Sequence, residues 1–415
     1  MGSLFVVLVI LGCAAYQYLK GTLVKAFFTI ILGICASAAA FGYFEPLANI
    51  AISHAGDGSF ASLIPWAHSL CFVLLFVLVF AILQTIAAQL IRQPVDLGLW
   101  PERIGRVVCG VFLGLIISGL LLTALAMAPL PNNYPYQRYD PRNPDADAPD
   151  KVLLNADGFA TGWFSMMSNG SLRAIRNPRS FATLRANFLD QLFLNRHNIA
   201  DGVSVVTVSQ AIEVPKKNGA WYAPEDIKNP DGKPLSPRSG HILTIVRVGI
   251  KRSAAKDAGQ FTPSQLRLIC KRKSDSENAF AGKGKNVYPV GYLKAANQLQ
   301  EKKLNDQIKI DSGDFTENVK WIDFAFYVPN DFVPLAVEFK LNNIAEVSPP
   351  VSADQAPSPS PFIEQSESEK RTAEPGSPAE QPASGPAEGT RRNSRKGGLS
   401  NISKGIVGDQ LDENK

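Results

Sequence analysis

The stretch that decides the fold runs Arg103-Ile-Gly-Arg106-Val-Val-Cys109-Gly110-Val-Phe-Leu-Gly114-Leu-Ile-Ile-Ser118-Gly-Leu-Leu-Leu-Thr-Ala-Leu-Ala-Met127. After Arg106 no charge appears until Arg138. At 1.5 Å of rise per residue, roughly 20 apolar residues cross a hydrocarbon core about 30 Å thick. Residues 107–130 meet that length, and residues 2–19, 26–44 and 63–91 meet it or come close. The third stretch is long enough to tilt, or to open with an interfacial turn at Pro65, Trp66 and His68. Backbone groups in lipid must bond within their own segment, so the expectation is four transmembrane helices over residues 1–130.

Averages hide this. The 415 residues are 46% hydrophobic and 19% charged, with a net charge of +5, which resembles a soluble protein. Residues 1–130 carry only nine charges, whereas residues 348–415 carry eighteen. The membrane block, the middle and the tail carry +1, +6 and −2. A single soluble globule is excluded, and so is a nucleic-acid binder, which would concentrate positive charge. A secretory signal would open with a basic region, and residues 1–10 hold no Lys or Arg. Ile10-Leu-Gly-Cys13 places a bulky Leu11 where a lipoprotein cleavage box takes a smaller residue, so the first helix is expected to be retained.

Short loops set the expected orientation. Lys20 and Lys25 lie between the first and second spans, and Arg92, Arg103 and Arg106 between the third and fourth. The second loop holds Glu45, His54 and Asp57 and no Lys or Arg. Positive loops stay cytoplasmic, which places both termini, and everything after Leu130, outside the cytoplasm. Gly110, Gly114 and Ser118 form a small-residue face on the fourth span, suited to close helix packing within the bundle or to self-association. Gly33, Ala36, Ser37 and Ala40 give the second span a similar face. No Asp, Glu, Lys or Arg lies in a span interior, which disfavours a pump.

These loops resemble the colicin V production protein (CvpA) family. Its members have four spans, a basic-Gly turn after the first and a Gly-rich fourth span behind a basic residue. Here the turn reads Leu19-Lys20-Gly21-Thr-Leu-Val-Lys25, and the fourth span opens Arg106-Val-Val-Cys-Gly110-Val-Phe-Leu-Gly114. Gly105 stands where the family commonly has Asp, and Gly110 falls one residue late. The resemblance covers about 130 residues. It implies a bacterial inner-membrane protein linked to toxin production or export and to envelope maintenance. Some relatives carry a trypsin-like protease after the spans.

The middle tests that last implication. Residues 131–149 are rich in Pro, Asn, Asp and Tyr and read as an extended spacer. Phe159, Trp163, Met166 and Met167 recur at helical spacing, giving an amphipathic helix whose apolar face would lie on lipid headgroups or pack on the next domain. Residues 181–195 read as a second helix. Period-two strands are expected at residues 203–208, 241–250, 266–269, 287–288, 321–328 and 335–341, with a helical insertion near residues 293–304. This is similar to the immunoglobulin-like modules of bacterial surface proteins, an all-β sandwich. No Ser stands in a protease-like Gly-Asp-Ser-Gly-Gly context: the settings are Gly170-Ser171-Leu172 and Ser239-Gly240-His241. With His197 and His241 as the middle's only histidines, no catalytic residue is assigned.

Five Cys (Cys13, Cys35, Cys71, Cys109 and Cys270) include no Cys-x-x-Cys pair, so no metal or cofactor is expected. Cys270 reads as buried at a strand end. Lys271-Arg-Lys273, with Lys283 and Lys285, reads as a solvated cluster, and Gly282-Lys-Gly-Lys285 lacks the spacing of a phosphate loop. The Pro-, Ser- and Glu-rich tail is expected to be disordered.

The expected organisation is a four-helix membrane domain (residues 1–130), spacer and amphipathic helices (131–200), a β-sandwich (201–345) and a disordered tail (346–415). The expected role is non-enzymatic. The bilayer is the first partner, and an envelope protein or wall component the second, bound by the outer module. A homo-oligomeric channel or transport component, assembled through the fourth span, is the alternative reading, and a membrane-anchored serine protease is a weaker third.

Overall fold

The computed structural model describes residues 1–20, 22–55, 61–90, 98–169, 179–197, 202–275, 280–315 and 317–364. Gly21, Asp57, Arg92, the Gly170-Ser171-Leu172 setting and the tail beyond residue 364 lie outside the described residues.

Four helices, α1 (Gly2–Lys20), α2 (Leu23–Ala55), α3 (Ala67–Leu90, entered by a 3₁₀ turn at Ala61–Trp66) and α4 (Leu99–Met127), are long and apolar enough to cross a membrane. Lys20 ends α1, Lys25 lies in the first turn of α2, and Arg103 and Arg106 follow within the opening turns of α4, where Gly105 faces Leu23, so the four share one end of the bundle. The helix α2 does not stop at Phe44, where the apolar stretch ends. It continues through Glu45 and Pro46, because Ala48 and Ile52 carry its buried face onward against Ile64 and Ala67. One missing backbone bond at Pro46 is outweighed by that packing.

The chain leaving α4 is not a free spacer. Tyr136, Arg138 and Tyr139 turn inward and form, with α5 (Ala156–Asn169), α6 (Phe181–Leu184) and α7 (Phe188–Asn195), a collar over the end of the bundle. Phe41 of α2 sits at its centre, with ring centroids of Phe72 and Phe164 at 4.9 Å and of Phe181 at 5.6 Å. Residues 181–195 are therefore two short helices rather than one. The Ser180 hydroxyl caps α6 by accepting from the Ala182 N–H, and Asn187, left-handed at φ 49°, breaks the chain before α7. The break frees Arg185 to point away from the collar's apolar face.

Beyond the collar lie short strands: β1 (Ile212–Glu213), β2 (Ala220–Tyr222), β3 (His241–Lys251), β4 (Gln260–Phe261), β5 (Leu266–Arg272), β6 (Gly284–Val287), β7 (Pro289–Ala295), β8 (Gln298–Glu301), β9 (Ile308–Lys309), β10 (Val319–Pro329), β11 (Phe332–Phe339) and β12 (Asn343–Glu346). A six-stranded sheet has the order β1-β3-β10-β7-β8 with β2 also on β3, and a four-stranded sheet has β12-β11-β5-β6. All their pairings are antiparallel. Strand alternation sends Val246, Val248, Ile322 and Phe324 from one sheet, and Leu266, Leu268, Cys270, Val337 and Phe339 from the other, into one core.

Three expectations fail here for tertiary reasons. Residues 203–208 form no strand; the Val206 N–H is taken instead by the Asn342 side chain and that of Thr207 by Asp257. Residues 293–304 are not a helix. Their Lys, Ala, Gln and Glu favour one, but pairing of Leu293 with Leu299 across the β7–β8 hairpin buries both, and packing overrides propensity. The segment 348–364 is packed rather than tail-like. Val351 bonds Ala220 and Tyr222, and the buried Phe362 ring stands 5.1 Å from that of Tyr292.

Candidate functional site

Alternation also produces the site. Arg267 of β5 lies between the core residues Leu266 and Leu268, and Glu338 of β11 between Val337 and Phe339, so both turn to the sheet's other face. They are direct cross-strand partners in the register. That face meets the collar, where Arg185 arrives from the break between α6 and α7. Arg185 donates one nitrogen to Glu338 and grips Glu45 of α2 with two more, Nε–Oε1 at 2.5 Å and Nη2–Oε2 at 3.0 Å. Arg267 closes on Glu338 at 2.5 Å through Nε and reaches Asn286 Oδ1 at 2.5 Å and Leu184 O at 2.7 Å. Gln191 of α7 donates to Glu338 at 2.6 Å, and Leu341 O accepts from Arg185 at 3.2 Å.

The network thus joins a membrane helix, the collar and the four-stranded sheet, with two guanidinium groups facing two carboxylates. Burial opposes the charge on Arg185, but Glu338 and Glu45 outweigh it and hold its pKa above the ordinary arginine value. Arg267 is displaced the other way. Burial dominates there, Glu338 opposes it, and Arg185 repels it. Arg185 has Glu45 as well as Glu338 beside it, whereas Arg267 has Glu338 and the repelling Arg185, which accounts for the opposite directions.

Two further buried arginines fasten the collar. Arg138 pairs with Asp190 of α7 (Nε–Oδ1 2.8 Å) and donates to the Tyr136 hydroxyl at 2.8 Å, which in turn donates to Asp157 of α5. Arg196, fully buried, donates to the main-chain oxygens of Leu125, Ala128 (3.3 Å) and Tyr134 (2.6 Å). It thereby adds a charged donor at the end of α4, where Leu125 O also accepts from the Ala128 N–H and Ala128 O from the Leu130 N–H. On the six-stranded sheet a second cross-strand pair, Arg247 with Asp323 (2.7 and 2.9 Å), holds the 348–364 strap, donating to Ser358 O at 2.7 Å while Asp323 accepts from the Ser360 N–H.

Beside the network a pocket of about 250 Å³ is lined by Glu45, Asn49, His68, Gln210 and residues 341–344. His68 is buried there, its ring 6.1 Å from that of Phe44, not at an open interface. Lys340, at φ 47° in the turn after β11, donates to Asp257 O and to Gln260 O at 3.0 Å. Burial, only partly opposed by Asp257, pushes its pKa down to about 8. Between about pH 8 and 10.5 the unfolded chain then binds more protons at this lysine than the folded one, so its contribution makes stability rise with pH. The expected result is a stability difference, wild type minus Lys340→Met, that grows from pH 8 to 10; a flat difference in thermal unfolding scans would remove the assignment.

The residues singled out by sequence fall elsewhere. Gly110 and Gly114 stand against α1: a Cβ at Gly110 would lie 2.5 Å from Ala14 Cα, and one at Gly114 2.6 Å from Ile10 Cα. Ser118, fully buried, donates to Leu115 O at 3.0 Å. Arg106 pairs with Glu102 one turn away. Cys270 is buried in β5, and burial raises its thiol pKa well above the ordinary range. His197 lends its carbonyl to the Thr262 and Ser264 hydroxyls, and His241 Nδ1 lies 2.8 Å from Ser239 O. Among the described residues no group of three or more metal-ligating side chains converges. Comparison of the chain with family models, curated proteins and solved structures returns no match.

Proposed function

We propose that this chain is an integral membrane protein of the colicin V production type that holds its β-region rigidly at the extracytoplasmic face as a binding module. The observation that carries the reading is the Arg185 bridge, which ties Glu45 of a membrane helix directly to Glu338 of the sheet. A displayed module needs only a tether, whereas a module braced by a buried ion network also transmits force or orientation between the membrane and its ligand. The family reading is supported by Lys20, Lys25 and Arg106 at one end of the bundle, and by a Gly110–Gly114 seam that seats the first span on the fourth.

An immunoglobulin-like reading of the module is supported by two antiparallel sheets about one core, with the order β12-β11-β5-β6 in the smaller sheet. An envelope protein or wall component is the partner class this placement suits. Assembly as a channel through the fourth span has to reckon with α1 already seated on that face. A protease rests only on family analogy.

The orientation is tested by fusing, after Glu364 of the otherwise whole chain, a reporter enzyme active only in the cytoplasm. The expected result is a silent fusion in cells that make full-length protein; activity would reject the proposed topology.

A further inference from the structure

α5 lies at a depth that its sequence position does not announce. Residues 107–127 of α4 are uncharged and span about 31 Å at 1.5 Å per residue, close to the thickness of a hydrocarbon core. Gly119 is eight residues short of Met127, and because Ile10 faces Gly114 and Ala14 faces Gly110 it stands level with Phe5, about one turn inside the amino-terminal end of the first span. A Cβ on Gly119 would meet Ala156 O at 2.2 Å and Ala160 Cβ at 2.8 Å, so the first turn of α5 rests on the α4 backbone there. Polar atoms at such a depth must find partners within the protein. Asp157 does so: it is fully buried and accepts from Tyr136 and from the Gly158 N–H at 2.8 Å.

The outer side of α5 is apolar and uncovered. Phe159 and Trp163 are 39% and 40% exposed on one ridge, and Leu154 before the helix is 64% exposed, whereas Met166 borders a polar cleft with Lys151, Ser165 and Asn169. In water Phe159, Trp163 and Leu154 would be a liability. Phe159 and Trp163 also wall a crevice of about 160 Å³, shared with Ile30 and Ile34 of α2 and Phe112 and Ile116 of α4. The Ser37 hydroxyl on its wall donates to Ile34 O at 2.8 Å. The walls belong to two helices fit to cross the bilayer, and exposed Ile31, Phe112 and Val111 continue the same surface. Lipid is therefore the medium that meets the opening.

We propose that α5 is sunk into the leaflet next to the carboxyl-terminal end of α4, and that the crevice between α2, α4 and α5 holds an acyl chain of a bilayer phospholipid. The test uses the full chain in vesicles of phosphatidylethanolamine and phosphatidylglycerol with deuterated acyl chains. A benzophenone amino acid replaces Trp163, Leu154 or, as a control in the β7–β8 turn, Ala296. After irradiation, mass spectrometry is expected to find a phospholipid adduct at 163 and 154, shifted by the deuterium content, and none at 296. Ile34→Trp and, independently, Phe112→Trp fill the crevice and should cut the yield at 163 at least fivefold while sparing 154. No lipid adduct at 163, a crosslinked dimer in its place, or a yield at 163 indifferent to both fillings would overturn the proposal.

Discussion

Arg185→Met should destabilise the folded chain by about 3–5 kcal/mol, the cost of removing one partner from a buried ion network. The size follows from what is left behind. Glu338 keeps Arg267 and Gln191, but Glu45 loses a two-point grip and faces an apolar side chain across the junction. Arg185→Lys should recover only part of the loss, because one ammonium cannot hold Glu45 through two nitrogens and reach Glu338 with a third. The double variant Arg185→Met with Glu45→Gln should be less destabilised than the sum of the two single changes, since neither then strands a charge. Thermal unfolding in detergent, with protease cleavage between collar and sheet as a second readout, distinguishes these cases. Additive losses would mean that Arg185 and Glu45 do not act together, and the bracing role proposed for the network would fall with them.

How much of this was legible in the sequence depends on the range over which each signal acts. The spans and the strands β3, β5, β10 and β11 carry their periods locally, and the apolar pattern finds them. The charge network has no local signature. Arg185 and Glu338 stand 153 residues apart, and Arg185 and Glu45 stand 140 apart. A hint was available in Leu266-Arg-Leu and Val337-Glu-Phe, where a charge occupies the off-core position of an otherwise apolar strand. On a strand with one face in water such a charge is unremarkable, and only the collar's presence on that face makes it buried. The packing of residues 348–364 has the same origin: Phe362 in a Pro- and Ser-rich stretch looks isolated until Tyr292 is brought beside it. Composition described the chain beyond Ser348 as a whole, while burial of a single ring and the bonds to Val351, Ser358 and Ser360 fixed part of it.

Gly114→Ile should separate α1 from α4, with a loss at least as large as that of Arg185→Met. The added Cβ alone would stand 2.6 Å from Ile10 Cα, and the obstacle is backbone, which cannot move aside as a side-chain tip can. Gly110→Ile meets the same barrier at Ala14 Cα, 2.5 Å away. The helices would have to part to admit the Cβ alone and further for the rest of the isoleucine, and in lipid nothing but close packing and buried polar contacts draws them back together. The expected readout is a lowered unfolding midpoint, with faster crosslinking of Cys13, whose Cβ packs at this seam, 3.3 Å from where a Cβ on Gly114 would stand. Gly12→Ala and Gly42→Ala supply the contrast, since a methyl group at either position meets nothing within 4 Å. Those changes should be neutral or slightly stabilising, by at most about 1 kcal/mol, through a less flexible unfolded chain. If Gly114→Ile left the monomer as stable as wild type and instead abolished an oligomer, α1 would not be the partner of this face. The self-association reading of the fourth span would then regain its ground.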